Sequence, residues 1–122
     1  MSRQAGVLLP LFSLRSPTDW GVGEIPDLVP FARWAARAGI SIVQVLPVNE
    51  ASRGQNSPYA ALTAFAIDPV YLALDDVEDF AAAGGPDALG REGRARLEAV
   101  RAAPAVRWSE VRALKRSALE LA

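Results

Sequence analysis

Four carboxylates stand on segments that follow apolar runs of this chain: Asp19, Glu24, Glu50 and Asp68. Transfer or hydrolysis of a glycosidic bond commonly takes two carboxyl groups about 5 to 10 Å apart, one as acid and the other as base or nucleophile. Each of the four also has a structural use. Glu24 and Asp27 lie near a helix start, where capping and the helix dipole stabilise acids. Asp19 before Trp20 and Asp68 before Pro69 suit turns, and Glu50 is readily solvated. The structural uses outweigh catalysis for all four, and no catalytic residue is assigned within the chain.

The stretch Asn56-Ser57-Pro58-Tyr59, followed by Ala64-Phe65-Ala66-Ile67-Asp68-Pro69, reads better as a binding loop. Pro58 fixes its own φ and pushes Ser57 toward an extended conformation, so Ser57 and Tyr59 are held in a defined geometry. Tyr59 and Trp20 offer flat apolar faces with a polar handle, on which sugars stack. Binding is favoured for Tyr59, whereas Trp20 stands evenly between stacking and core packing. Gly21-Val22-Gly23 lacks the third glycine of a dinucleotide fingerprint and no Gly-Lys-Ser/Thr follows, which removes the phosphate-loop reading. Gln44, inside an apolar run, calls for a hydrogen-bond partner in an interior polar network.

Composition narrows the field. With 122 residues, 51% hydrophobic and 22% charged, and a formal net charge of -1, the chain is at most one ordinary soluble domain with nothing that points to nucleic acid. It has neither cysteine nor histidine. That excludes a disulfide framework, a thiolate metal site and the usual triad base, and no metal or cofactor is expected. The apolar run 7–14 imitates a signal-peptide core, but Pro10 interrupts it, Arg15 follows it and no A-x-A cleavage pattern appears. No apolar run approaches the roughly 18 residues that span a bilayer, so no membrane partner is expected and a cytoplasmic location is.

The positioning elements follow from the pattern. Gly6-Val7-Leu8-Leu9-Pro10-Leu11 predicts a first strand buried on both faces, limited by Pro10. Residues 13–26, rich in Ser, Pro, Thr, Asp and Gly, predict a long shaped loop in which Gly21 and Gly23 are able to take φ values that other residues avoid. Asp27 is the candidate N-cap of a helix over 28–38, with Leu28, Phe31, Ala32, Ala35 and Ala38 on one face and Gly39 closing it. Ile40-Ser41-Ile42-Val43-Gln44-Val45-Leu46 predicts a second parallel strand covered on both faces, which Pro47 stops. Such a βαβ unit has a right-handed crossover and opens the loops 13–26 and 47–63 onto one face, where they converge. Beyond residue 75 helical spacing takes over. Val111, Leu114, Ala118 and Leu121 line a last helix that Ser109 caps, and the arginines and Lys115 of this half, offset by Glu92, Glu98, Glu110 and Glu120, read as a solvated face.

Taken together, Gly6-Val7-Leu8-Leu9-Pro10-Leu11-Phe12-Ser13-Leu14, Asp19-Trp20-Gly21-Val22-Gly23-Glu24, Gln44-Val45-Leu46-Pro47-Val48-Asn49, Ser57-Pro58-Tyr59 and Ala64-Phe65-Ala66 resemble the N-terminus of the 4-α-glucanotransferases. These are the amylomaltases, or disproportionating enzymes, of glycoside hydrolase family 77. The resemblance covers residues 5–75 in order and spacing, and is looser around 106–118, where the family has a helical insertion. It implies an α/β fold, the N-terminal part of a (β/α)8 TIM barrel of the α-amylase clan. It also implies transfer of α-1,4-glucan segments between malto-oligosaccharides by a retaining double displacement, with the Asp nucleophile, Glu acid/base and stabilising Asp all beyond this chain.

On this chain the resemblance carries Ser57 and Tyr59 to positions that contact bound glucan. The family often has Asn where Asp68 stands, which changes a neutral hydrogen-bonding side chain into a charged one, and a Gly-Asp step where Gln55-Asn56 stands. The expected organisation is a barrel portion over 1–75 and a helical subdomain segment over 76–122, with the remaining barrel C-terminal to it. A barrel needs eight strands to cancel its edges, and two or three leave them bare. The rival reading is a noncatalytic glucan-binding or interaction module.

Overall fold

A computed structural model describes residues 2–122. Strands β1 (Gly6–Leu9) and β2 (Ile42–Val45) pair in parallel, with Gly6 opposite Ile42 and Leu9 opposite Val45. Helix α1 (Leu28–Arg37) connects them, as the pattern predicts. Its start differs in detail. Asp27 belongs to a 3-10 turn, Ile25–Asp27, and a reciprocal capping box forms there, with Glu24 N–H donating to the Asp27 carboxylate at 2.8 Å. At the other end Gly39, at φ +80°, lets Ile40 N–H reach Ala35 O and Gly39 N–H reach Ala36 O. This is the Schellman arrangement, and it turns the chain directly into β2.

Neither strand is covered on both faces. Along β1 and β2 exposed residues alternate with half-buried ones and none is buried. Leu8 is 58% and Ile42 47% exposed, and Gln44 points outward with no interior network around it. The physical reason is that among the described residues each strand pairs only with the other. A two-stranded ribbon has no layers to bury it. Helix α1 shares this condition: only Ala35 is buried, while Val29 and Trp34 lie half exposed.

The core lies instead between the loop after β1 and the helical half. Helices α2 (Glu78–Ala82), α3 (Gly90–Ala102) and α4 (Trp108–Leu121) are joined by short turns. Leu11, Trp20 and Val22 from the first loop meet Val70, Tyr71, Leu74 and Phe80, then Leu97 and Val100 of α3 and Val111, Leu114 and Ala118 of α4. Trp20 is fully buried, edge-on to Phe80 at 5.7 Å, with its indole N–H donating to Asp75 at 3.3 Å. It is therefore a core residue and not a sugar platform. Burying each such ring stabilises the fold by roughly 1.5–3 kcal/mol.

Helix α4 departs from expectation in two places. Arg107 occupies the N-cap, so Ser109 falls within the first turn, and Leu121 stays 44% exposed. The buried stripe instead includes Lys115.

Candidate functional site

Behind β2 the chain folds back on itself as an arm, residues 48–68. Antiparallel bridges join Asn49 to Ile67 and Ala51 to Ala61. The rungs are Asp68 N–H to Val48 O at 2.9 Å, Glu50 N–H to Ala66 O at 2.9 Å and Leu62 N–H to Glu50 O at 2.8 Å. At the far end Ser57, Pro58 and Tyr59 make a turn in which the Ser57 carbonyl accepts from Ala60 N–H and its hydroxyl accepts from Tyr59 N–H at 3.3 Å. Tyr59 is 74% exposed and Phe65, farther along the arm, 97%. The side chains that the sequence nominates for ligand contact are thus presented outward on a hydrogen-bonded support.

Three of the four candidate carboxylates are committed to structure. Asp19, fully buried, accepts from Ser16 N–H and Gly21 N–H and forms an ion pair with Arg15 at 2.7 Å. Glu24 accepts from Trp20 N–H at 3.2 Å and from Lys115 Nζ at 2.6 Å. Asp68 accepts from Val70 N–H at 3.0 Å and takes both Arg112 terminal nitrogens, each at 2.8 Å. Glu50 is half-buried and lines a cleft of about 340 Å³ with Leu62, Asp68, Arg112 and Leu119 among its walls.

The expected meeting of the loops 13–26 and 47–63 takes another form. Among the described residues no hydrogen bond or ring contact joins Ser57 or Tyr59 to the 13–26 loop. What meets that loop is the segment just after the arm: Lys115 donates to Glu24, to Val70 O at 2.7 Å and to Leu72 O at 2.6 Å. The 13–26 loop is a wall of the core. Its glycines serve that packing: Gly21, at φ +86°, lies against Val100 of α3, where a Cβ would come within 2.8 Å.

The basic residues of the helical half are likewise only in part a solvated face. Arg94 with Asp87 and Arg96 with Glu92 are exposed surface pairs. Arg101, by contrast, donates to Asp19 O at 2.8 Å, Arg112 holds Asp68, and Lys115 holds Glu24. Arg112 and Lys115 are the residues that sequence reasoning missed. A signal existed for Lys115, which falls on the apolar stripe between Val111 and Ala118, where a cation needs a buried acid.

Burial raises the Glu24 carboxyl above the usual carboxylate range and lowers the Lys115 ammonium; the attraction between the two opposes both shifts. Burial, then the Asp68 carboxylate, raises the Tyr71 phenol above its ordinary value of about 10, against the pull of Arg112. In the unfolded chain this phenol ionises first, so the contribution it makes to stability is intact below pH 10 and is lost as pH rises through the folded value. Urea midpoints should therefore fall as pH rises past about 10, and Tyr71→Phe should flatten part of that fall. An equally steep fall in Tyr71→Phe would assign it to other groups.

Residues 9–122 match the family profile described as 4-alpha-glucanotransferase. A 4-alpha-glucanotransferase of Chlamydia caviae is 41% identical over 69 residues, which is 57% of this chain and 13% of that protein. One of Chlamydia trachomatis is 33% identical over 115 residues, 94% of this chain and 21% of that protein. The 4-alpha-glucanotransferase DPE2 of Oryza sativa is 43% identical over 81 residues, 63% of this chain and 9% of that protein. The chain belongs to the 4-alpha-glucanotransferase family, and the likeness extends through the helical half. It spans between 9% and 21% of the length of these relatives. Among the described residues no helix is long and apolar enough to cross a membrane.

Proposed function

We propose that these residues form the N-terminal portion of an enzyme that transfers α-1,4-glucan segments between malto-oligosaccharides by a retaining double displacement. In this reading residues 1–75 supply the first βαβ unit of a (β/α)8 barrel and 76–122 a helical subdomain segment. The rest of the barrel, with the catalytic carboxylates, follows in the chain, and the enzyme works in the cytoplasm. The observation that carries the reading is the exposed Tyr59 ring on its bridged arm, in a chain of this family. Ser57 and Tyr59 are the glucan contacts, Tyr59 by stacking and Ser57 through its hydroxyl. Three committed carboxylates leave the chain short of an acid/base pair, and two bare strand edges suit a barrel that further strands complete.

In the full-length protein Tyr59→Ala should lower kcat/KM for malto-oligosaccharides by about tenfold or more, chiefly through KM, because a contact shared by ground and transition states is lost. An unchanged KM would remove Tyr59 from the site. The 122 residues alone should neither transfer glucan nor bind maltoheptaose in calorimetry, and should aggregate or remain molten in light scattering. Micromolar binding by a cooperatively folded monomer would support the noncatalytic glucan-binding module instead.

A further inference from the structure

Among the described residues one ion pair, Asp68 with Arg112, ties the arm to α4. The cleft of about 340 Å³ separates the 50–53 strand of the arm from α4, with Leu62 and Leu119 among its walls. Among the described residues the only side-chain hydrogen bond that spans from the arm to α4 is donated by one Arg112 terminal nitrogen to Asp68 at 2.8 Å, and the other terminal nitrogen lies 2.8 Å from the second carboxylate oxygen in the same ion pair. Asp68 stands where the arm rejoins the core. Its N–H donates to Val48 O, its carboxylate accepts from Val70 N–H at 3.0 Å, and Ala51 N–H on the opposite strand donates to it at 3.4 Å. One buried side chain thus gathers both strands of the arm and the turn that follows.

Arg112 is itself held in place. Its guanidinium lies 5.8 Å from the centre of the Trp108 ring, within cation–π range, and Trp108 packs edge-on against Phe12 at 5.3 Å, just beyond β1. A forked guanidinium fixes direction as well as distance, which a single point charge does not. We infer that Arg112 is a positioning residue: through Asp68 it sets the direction in which the arm carries Ser57 and Tyr59 toward the glucan. This inference rests on the reading of the arm as the glucan contact. Both terminal nitrogens of Arg112 are engaged by Asp68.

The test compares Arg112→Met, Arg112→Lys, Asp68→Asn and Tyr59→Ala in the full-length protein, with KM and kcat for a malto-oligosaccharide measured beside urea midpoints. Arg112→Met should raise KM by about tenfold with kcat within about twofold, since misplacing a binding group by an ångström costs up to a hundredfold. Arg112→Lys, which keeps the charge and loses the fork, should fall between Arg112→Met and the unchanged protein, and Asp68→Asn should resemble it. A drop in the urea midpoint of Arg112→Met and Arg112→Lys with KM unmoved would reduce Arg112 to a structural ion pair and overturn the inference, provided Tyr59→Ala raises KM. If Tyr59→Ala leaves KM unmoved as well, the glucan-contact reading falls, and the inference with it.

Discussion

Gly23→Ala should destabilise the protein by about 3 kcal/mol or more, at the upper end of what overpacking costs. Gly23 takes no unusual backbone angle. The space beside it is closed by main chain: a Cβ there would overlap the Leu11 carbonyl oxygen and lie 2.8 Å from Leu14 O and 2.9 Å from Leu14 N. Neither neighbour yields readily, because Leu11 begins a 3-10 turn and Gly23 N–H itself donates to Phe12 O at 3.0 Å. Any shift moves Val22 and Glu24, both buried, and so disturbs the core and the Lys115 pair together. Gly54→Ala is the matched control. At Gly54, φ +78°, a Cβ meets nothing within 4 Å, so only backbone strain of roughly 1–2 kcal/mol applies. Equal urea midpoints for the two variants would contradict the close-approach account.

Lys115→Met should cost about 3–5 kcal/mol, the usual result of leaving a buried charge without its partner. Glu24 is 4% exposed and would lose its cationic partner, while Val70 O and Leu72 O would lose their Lys115 donor. The loss should depend on pH. A carboxyl whose folded value is raised keeps its stability below the unfolded value and loses it as pH rises, so Lys115→Met should be closer to the unchanged protein at pH 4 than at pH 7. Adding Glu24→Gln should recover most of the loss at neutral pH but leave a deficit of about 1–3 kcal/mol from the two unpaired carbonyls. A double variant no more stable than Lys115→Met alone would show that the carbonyls, and not the charge, are what Lys115 serves.

The parallel βαβ unit was legible because its signals are local. Gly39 closes α1 whatever surrounds it, Pro10 and Pro47 bound the strands, and β-branched residues fill β2. Burial was misread for the same two strands, since apolarity marks a surface that some neighbour covers without naming the neighbour. Trp20 illustrates the limit from the other side. A tryptophan in a loop with Gly, Ser and Asp looks available to a ligand, yet the loop wraps round Phe80 and α3 and takes the ring into the core.

The sequence by itself determined the family, the order of the first elements and the residues that the arm displays, because motifs, caps and turn residues act over a few positions. Only the tertiary structure decided what the charges do. Asp19 finds Arg15 four positions away, but Asp68 and Glu24 are joined to Arg112 and Lys115 across 44 and 91 positions of chain. No periodicity spans such a gap: a buried carboxylate requires a counter-charge, but which helix brings it is settled by packing alone.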